Sequence, residues 1–166
     1  MHVWQLYDDP NVTRAQSAGI LLYRSRSGAL EVLLVHPGGP FWARKDDGAW
    51  SIPKGEFVAP ETAIDAARRE FAEETGIALA GDFLPLGEIR QKGGKAVTAF
   101  AHCRDIDPAA IKSNTFECEW PPRSGRRQEF AEIDRAEWFD TETARRKINA
   151  GQAALIDRLS EAVRGE

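Results

Sequence analysis

The stretch Gly55–Ile77, GEFVAPETAIDAARREFAEETGI, decides how the rest of the chain is read. From Pro60 to Thr75 nothing breaks a helix. Pro60 suits a first helical position, Glu61 complements the positive end, and Gly76 supplies a left-handed stop. At about 100° per residue, Glu70, Glu73 and Glu74 fall within roughly one 100° sector. Ile64, Ala67 and Phe71 form an adjoining apolar stripe. Like charges one turn apart cost a few tenths of a kcal/mol per pair, so three glutamates on one face call for a compensating partner. A hard divalent cation is such a partner. Mg²⁺ takes one or two carboxylates, keeps waters and fills its remaining positions with substrate phosphates. Arg69 can reach Glu73 one turn on, with Asp65 one turn before it, and so can orient the acids.

A solvated charged face is the plainer account of an isolated Glu-Glu pair on a helix. The flanks tell against it here. The stretch satisfies G-x5-E-x7-R-E-U-x-E-E-x-G-U, with U apolar, through Gly55, Glu61, Arg69, Glu70, Phe71, Glu73, Glu74, Gly76 and Ile77. Seven fixed positions at about one in twenty each arise by chance on the order of once in a billion start points. The pattern resembles the Nudix hydrolase box. That resemblance implies a Mg²⁺-dependent hydrolase, with Mn²⁺ able to substitute, which cleaves a diphosphate linked to another moiety by attack of water on phosphorus. It further implies Glu70, Glu73 and Glu74 as metal ligands, often with the Gly55 carbonyl, and Arg69 and Glu61 as the pair that holds loop and helix together. The base varies within the family, and Glu70 or an acid outside the box is expected to serve.

Working outward, Trp50-Ser51-Ile52-Pro53-Lys54-Gly55 leads into the box. Within the family this lead-in is similar to that of members that split diadenosine tetraphosphate asymmetrically, and Lys54 would then touch phosphate. Upstream, HPGGPFWARKDDGAW is too irregular for an element and reads as a loop. Phe41 and Trp42 could stack on a base there, and Arg44 and Lys45 could meet phosphate; aromatics tucked onto the core beside solvated cations are the alternative. Ser17–Tyr23 and Leu30–Val35 read as a hairpin of buried strands around a turn containing Gly28.

Downstream, FLPLGEIR and AVTAFAHC read as strands around the turn QKGGK, whose Lys92 and Lys95 would steer polyphosphate only if the turn overhangs the helix. SNTFECEW reads as a further strand. In the family, a glutamate six residues before a tryptophan or similar residue of the last strand often completes the site from outside the box. Glu132, before Trp138, holds that position, with Glu129 as runner-up. Residues 141–149 and 152–163 read as terminal helices, the second covering the core with Ala154, Leu155, Ile156, Leu159 and Val163.

The 166 residues, 42% of them hydrophobic, suffice for one domain with a full core, and the expectation is a single Nudix domain over 1–166. The order of elements predicts an α/β fold, a mixed sheet with helices on both sides, which the resemblance sharpens to the Nudix α/β/α sandwich. A net charge of −4 argues against a duplex nucleic-acid binder. Cys103 and Cys118 match neither a disulfide framework nor a zinc pattern. His102 reads as a satisfied strand histidine, and His2 and His36 join no constellation. The N-terminus lacks a secretory pattern and no apolar run approaches about 18 residues, so a soluble, cytoplasmic protein, monomer or homodimer, is expected.

The substrate class expected is a small nucleotide, foremost a dinucleoside polyphosphate. NTPs, ADP-ribose or an RNA 5′ end are alternatives within the same chemistry. A nucleotide-sensing module without turnover is the rival of another class, and it would be expected to have lost a box glutamate; none is missing.

Overall fold

A computed structural model describes residues 16–165; His2 and the N-terminal stretch read above for a secretory pattern lie outside the described residues. β1 (Gln16–Arg26) and β2 (Ala29–Pro37) form an antiparallel hairpin. Its two-residue loop, Ser27-Gly28, has φ of 53° and 79°, the positive dihedrals that match the twist of the flanking strands. β3 (Lys54–Phe57) pairs with the start of β1, and α1 (Ala63–Thr75) follows. β4 (Leu84–Arg90) and β5 (Ala96–Cys103) come next, and β5 runs parallel to β1. β6 (Thr115–Glu119) and β7 (Arg127–Ala131) make a separate two-stranded ribbon. β8 (Ile133–Asp140) then joins β2, and α2 (Thr141–Lys147) and α3 (Ala153–Arg164) close the described chain. The main sheet has the order β4-β5-β1-β2-β8, with β3 beside β1.

Both faces of this mixed sheet are covered, which explains why β1 and β2 read as unbroken apolar runs. Alternation sorts them nonetheless. Ala18, Ile20, Leu22 and Leu33 pack with Ala66, Ala67 and Phe71 of α1. Leu21, Val32 and Leu34 face the other way, onto Ala144, Ile148, Leu155, Ile156 and Leu159 from α2 and α3. The expected α/β/α sandwich is the fold observed.

One expectation is corrected. Pro60 is not the first helical residue: α1 begins at Ala63, where Thr62 caps it by accepting the Asp65 amide at 3.3 Å. Pro60 follows a cis bond from Ala59 and, with Glu61, stays in the loop. SNTFECEW forms the strand expected of it, over Thr115–Glu119 in the ribbon. Gly76 does end α1, in the left-handed conformation at φ 75°.

The segment before the box is fastened to the C-terminal helices. Trp50, buried, donates its amide to Lys147 O at 3.0 Å, and its carbonyl accepts from Asn149 at 2.7 Å. The buried Gln152 accepts the Ile52 amide on Oε1 at 3.1 Å and donates from Nε2 to Ser51 Oγ at 3.2 Å. Replacing Gln152 by Leu leaves that buried amide without its acceptor, so the variant should lose about 1–3 kcal/mol of stability. Chemical denaturation of the two proteins measures the difference.

Candidate active site

Sequence dictates a crowded corner where β3 meets α1. Gly55 lies flat against Glu70: a Cβ built there would stand 2.0 Å from the Glu70 carboxyl carbon, so any side chain would expel the glutamate. Arg69 fixes the same glutamate from the other side, donating from Nη1 to Glu70 Oε1 at 2.9 Å and to Glu73 Oε2 at 3.2 Å. Its Nε and Nη2 grip Glu61 at 2.8 and 2.9 Å in a two-pronged contact, and Nη2 also reaches Glu56 O at 3.4 Å. These bonds, led by Glu61, hold the guanidinium charged and the Glu61 carboxyl below its usual range. Asp65, the other acid placed one turn from Arg69, takes no part in this contact set.

Glu74 meets β3, its carboxylate accepting from the Lys54 backbone. Glu74, Lys54 and Glu132 line a cleft of about 170 Å³, with Val35, Ile52 and Ile133 among its walls. Burial, then the negative charges of Glu70 and Glu132, push the Glu74 carboxyl up to about 8, against the opposing pull of Lys54. Burial likewise raises Glu70 and lowers Lys54. The cleft therefore holds an acid and a base that burial draws toward neutrality.

Among the described residues no three His, Cys, Asp or Glu side chains form a ready-made metal cluster. The donor chemistry fits a hard divalent cation all the same. The donors are all oxygen, the charges of Glu70 and Glu132 add to burial in raising Glu74, and Mg²⁺ asks for only one or two carboxylates when waters and phosphates complete its shell.

The structure thus brings Lys54, Gly55, Arg69, Glu70, Glu73, Glu74 and Glu132 to one corner. It does not bring Trp42, Arg44 and Lys45 into contact with the carboxylates. They lie exposed on the loop after β2, with Lys45 Nζ over the Trp42 ring at 4.9 Å and Phe41 edge-on to Trp120 of the ribbon at 5.6 Å. That loop is tied to the corner through the Gly38 amide, which donates to Glu132 O at 2.9 Å. Glu129 stands on the ribbon opposite Glu117.

Sequence reasoning missed His36. It is fully buried, with Nδ1 2.7 Å from Asp134 Oδ1 and Nε2 2.6 Å from Lys45 O, and so pins the loop to the start of β8. Its main partner is 98 residues away, and no local pattern signals it. His102 is the satisfied strand histidine expected, stacked on Phe83 at 4.4 Å with Nδ1 2.7 Å from Asp82 O. A hollow of about 670 Å³ beside these two lies at the other end of β1 from the carboxylates. Both cysteines are free.

The model of the NUDIX domain matches residues 13–159. The chain belongs to the Nudix family. Nudix hydrolases generally use divalent metals. Among solved structures, it resembles a C. elegans Ap4A hydrolase in a binary complex, with TM-score 0.63 and 20% identity over 91% of this chain and all of that one. The NUDIX domain of Shewanella oneidensis NrtR, complexed with ADP ribose, superposes with TM-score 0.60 and 18% identity over 98% of this chain and 99% of that one. A Nudix hydrolase from M. smegmatis, RenU, gives 0.57 and 24% over 92% and 87%. A Myxococcus xanthus protein named octanoyltransferase is 29% identical over 80% of this chain, which spans about a third of the length of that curated relative. No helix among the described residues is long and apolar enough to cross a membrane.

Two outcomes are expected of the corner. Gly55→Ala displaces Glu70, and since misplacement by about 1 Å can cost a hundredfold in rate, the variant should retain its circular dichroism while losing turnover on that scale. The raised Glu74 value has a thermodynamic sign. The folded protein keeps this proton between the ordinary value of 4.5 and about 8, where the unfolded chain has released it, so stability falls as pH rises through that window. In EDTA, the melting temperature of Glu74→Gln should gain on wild type from about pH 5 to about pH 8. Parallel curves would refute the assignment.

Proposed function

We propose that the protein hydrolyses a dinucleoside polyphosphate, such as diadenosine tetraphosphate, at the cleft between Lys54, Glu74 and Glu132. The juxtaposition of those three side chains with Glu70, on the glycine that opens the box, is the observation that supports it. In this reading Glu70, Glu73, Glu74, Glu132 and the Gly55 carbonyl hold Mg²⁺, or Mn²⁺ in its place. The cation supplies charge neutralisation along the phosphate chain and acidification of the attacking water.

The rest falls to the protein's own residues. Arg69 keeps Glu70 and Glu73 in place through its contacts with both. Lys54 stabilises negative charge on the phosphates from within the cleft. Glu70 or Glu132 takes the proton of the attacking water. Glu132 is the more open of the two, whereas Glu70 is bonded to Arg69 and packed on Gly55. Trp42, Arg44 and Lys45 receive the base and outer phosphates from the neighbouring loop. We further take residues 1–166 as one Nudix domain, acting in the cytoplasm as monomer or homodimer on small nucleotides. An RNA 5′ end is the one nucleic-acid substrate kept in view.

The complex of the NrtR domain with ADP ribose gives a specific reason to hold ADP-ribose as the second substrate reading. A sensing module without turnover is the rival of another class, and the complete set of box glutamates speaks against it.

Incubation with Mg²⁺ and a panel of diadenosine polyphosphates, NTPs, ADP-ribose and triphosphorylated RNA tests the proposal. Diadenosine tetraphosphate should yield nucleoside triphosphate and monophosphate, and Glu73→Gln should lose about a hundredfold or more of the rate. Cleavage of ADP-ribose alone would move the assignment to the second reading. Nucleotide binding without product under any divalent metal would favour the sensing module.

A further inference from the structure

The turn between β4 and β5 lies over the box. Glu56 and Val97 flank the same β1 residue, Ser17, from opposite sides, so Lys95, two residues before Val97, emerges across β1 from Glu56. The turn closes through Gln91 N to Lys95 O at 2.8 Å and Gly94 N to Gln91 O at 2.9 Å. Gly93 and Gly94 hold φ of 94° and 83° at its tip, a Cβ built on either would meet nothing within 4 Å, and the tip is exposed. From that perch Lys95 Nζ reaches Glu56 Oε1 at 3.1 Å, beside the glycine against which Glu70 packs. The cleft lysine also feels Lys95. Lys54 is held below the ordinary lysine value by burial first, against Glu74, and then by the positive charge of Lys95.

An ion pair whose members are 60% and 59% exposed contributes little, and it is cheaply exchanged for a better partner. A diphosphate offers two or more negative charges where Glu56 offers one, and lysine is a compact, strongly hydrated charge suited to phosphate oxygens. We propose that Lys95 is a phosphate-gripping residue for this hydrolase's own substrate, resting on Glu56 in the free protein and moving to the phosphate chain when it enters beside Lys54. This rests on the reading of the cleft given above. Lys92, on the same turn and without an ion pair among the described residues, has no such role.

The test is calorimetric titration with methylenediphosphonate, a non-hydrolysable diphosphate, in Mg²⁺. Lys95→Ala should weaken binding about tenfold, and Lys92→Ala should bind like wild type. Glu56→Gln should tighten binding by releasing the lysine, and in the Lys95→Ala background the same change should alter affinity by less than about twofold. Equal tightening with and without Lys95 would mean that only a negative charge had been removed, and would overturn the exchange. Unchanged binding by Lys95→Ala, with loss of binding by Lys54→Ala, would overturn the role of Lys95 and leave the cleft reading standing. No binding by wild type would overturn both.

Discussion

One guanidinium ties together pieces of chain that have little other reason to meet. Arg69 joins Glu61 from the loop, Glu70 and Glu73 from the helix, and the Glu56 carbonyl from β3. Without it, the acids of α1 would spread to reduce their repulsion, and the loop from Val58 to Thr62 would lose its attachment to the helix it introduces. Lysine could not replace it, because the arrangement uses the planar fork to serve Glu61 and a separate nitrogen to serve the helix acids.

The corner is also a place where stability is given up. Glu74 and Lys54 are each drawn from water into a cleft where neither keeps its ordinary protonation balance, and Glu70 is partly buried beside them. Such arrangements persist only when the surroundings over-determine them. Here the support is the apolar face of α1, where Ala66, Ala67 and Phe71 are fully buried against β1 and β2. The helix is anchored by its greasy side so that its acidic side can remain uncomfortable.

Much of this was legible in the residue string, for identifiable reasons. The box declares itself because carboxylates, a glycine and an apolar residue recur at fixed helical offsets, and the strands of the first hairpin declare themselves as apolar runs around a turn. Glu132 is reached only through the family resemblance, by its place six residues before Trp138. The helix start was misjudged because Pro60 is acceptable in a first turn, whereas the local geometry is settled by Thr62 meeting the Asp65 amide. Lys95 is recognisable as a candidate only on condition that its turn overhangs the helix, and neither its pairing with Glu56 nor that of His36 with Asp134 is legible, since these partners lie 39 and 98 residues away and only the sheet brings them near. The aromatic loop was recognisable as a loop, but its placement depends on the Gly38 bond to Glu132, which no periodicity foretells.

The bonds from Gln152 to Ser51 and Ile52 join residues about a hundred positions apart, and the Trp50 backbone is paired to the same distant segment. During synthesis, the lead-in to the box therefore leaves the ribosome long before the strand of chain that fixes it. Lys54 itself is placed by β1, where it pairs with Gly19, so what the late segment adds is the seating of Trp50, Ser51 and Ile52 behind it. The wall of the cleft is thus braced by a part of the chain that is made last, and a change at Gln152 is felt directly at Ile52, one of the residues that line it.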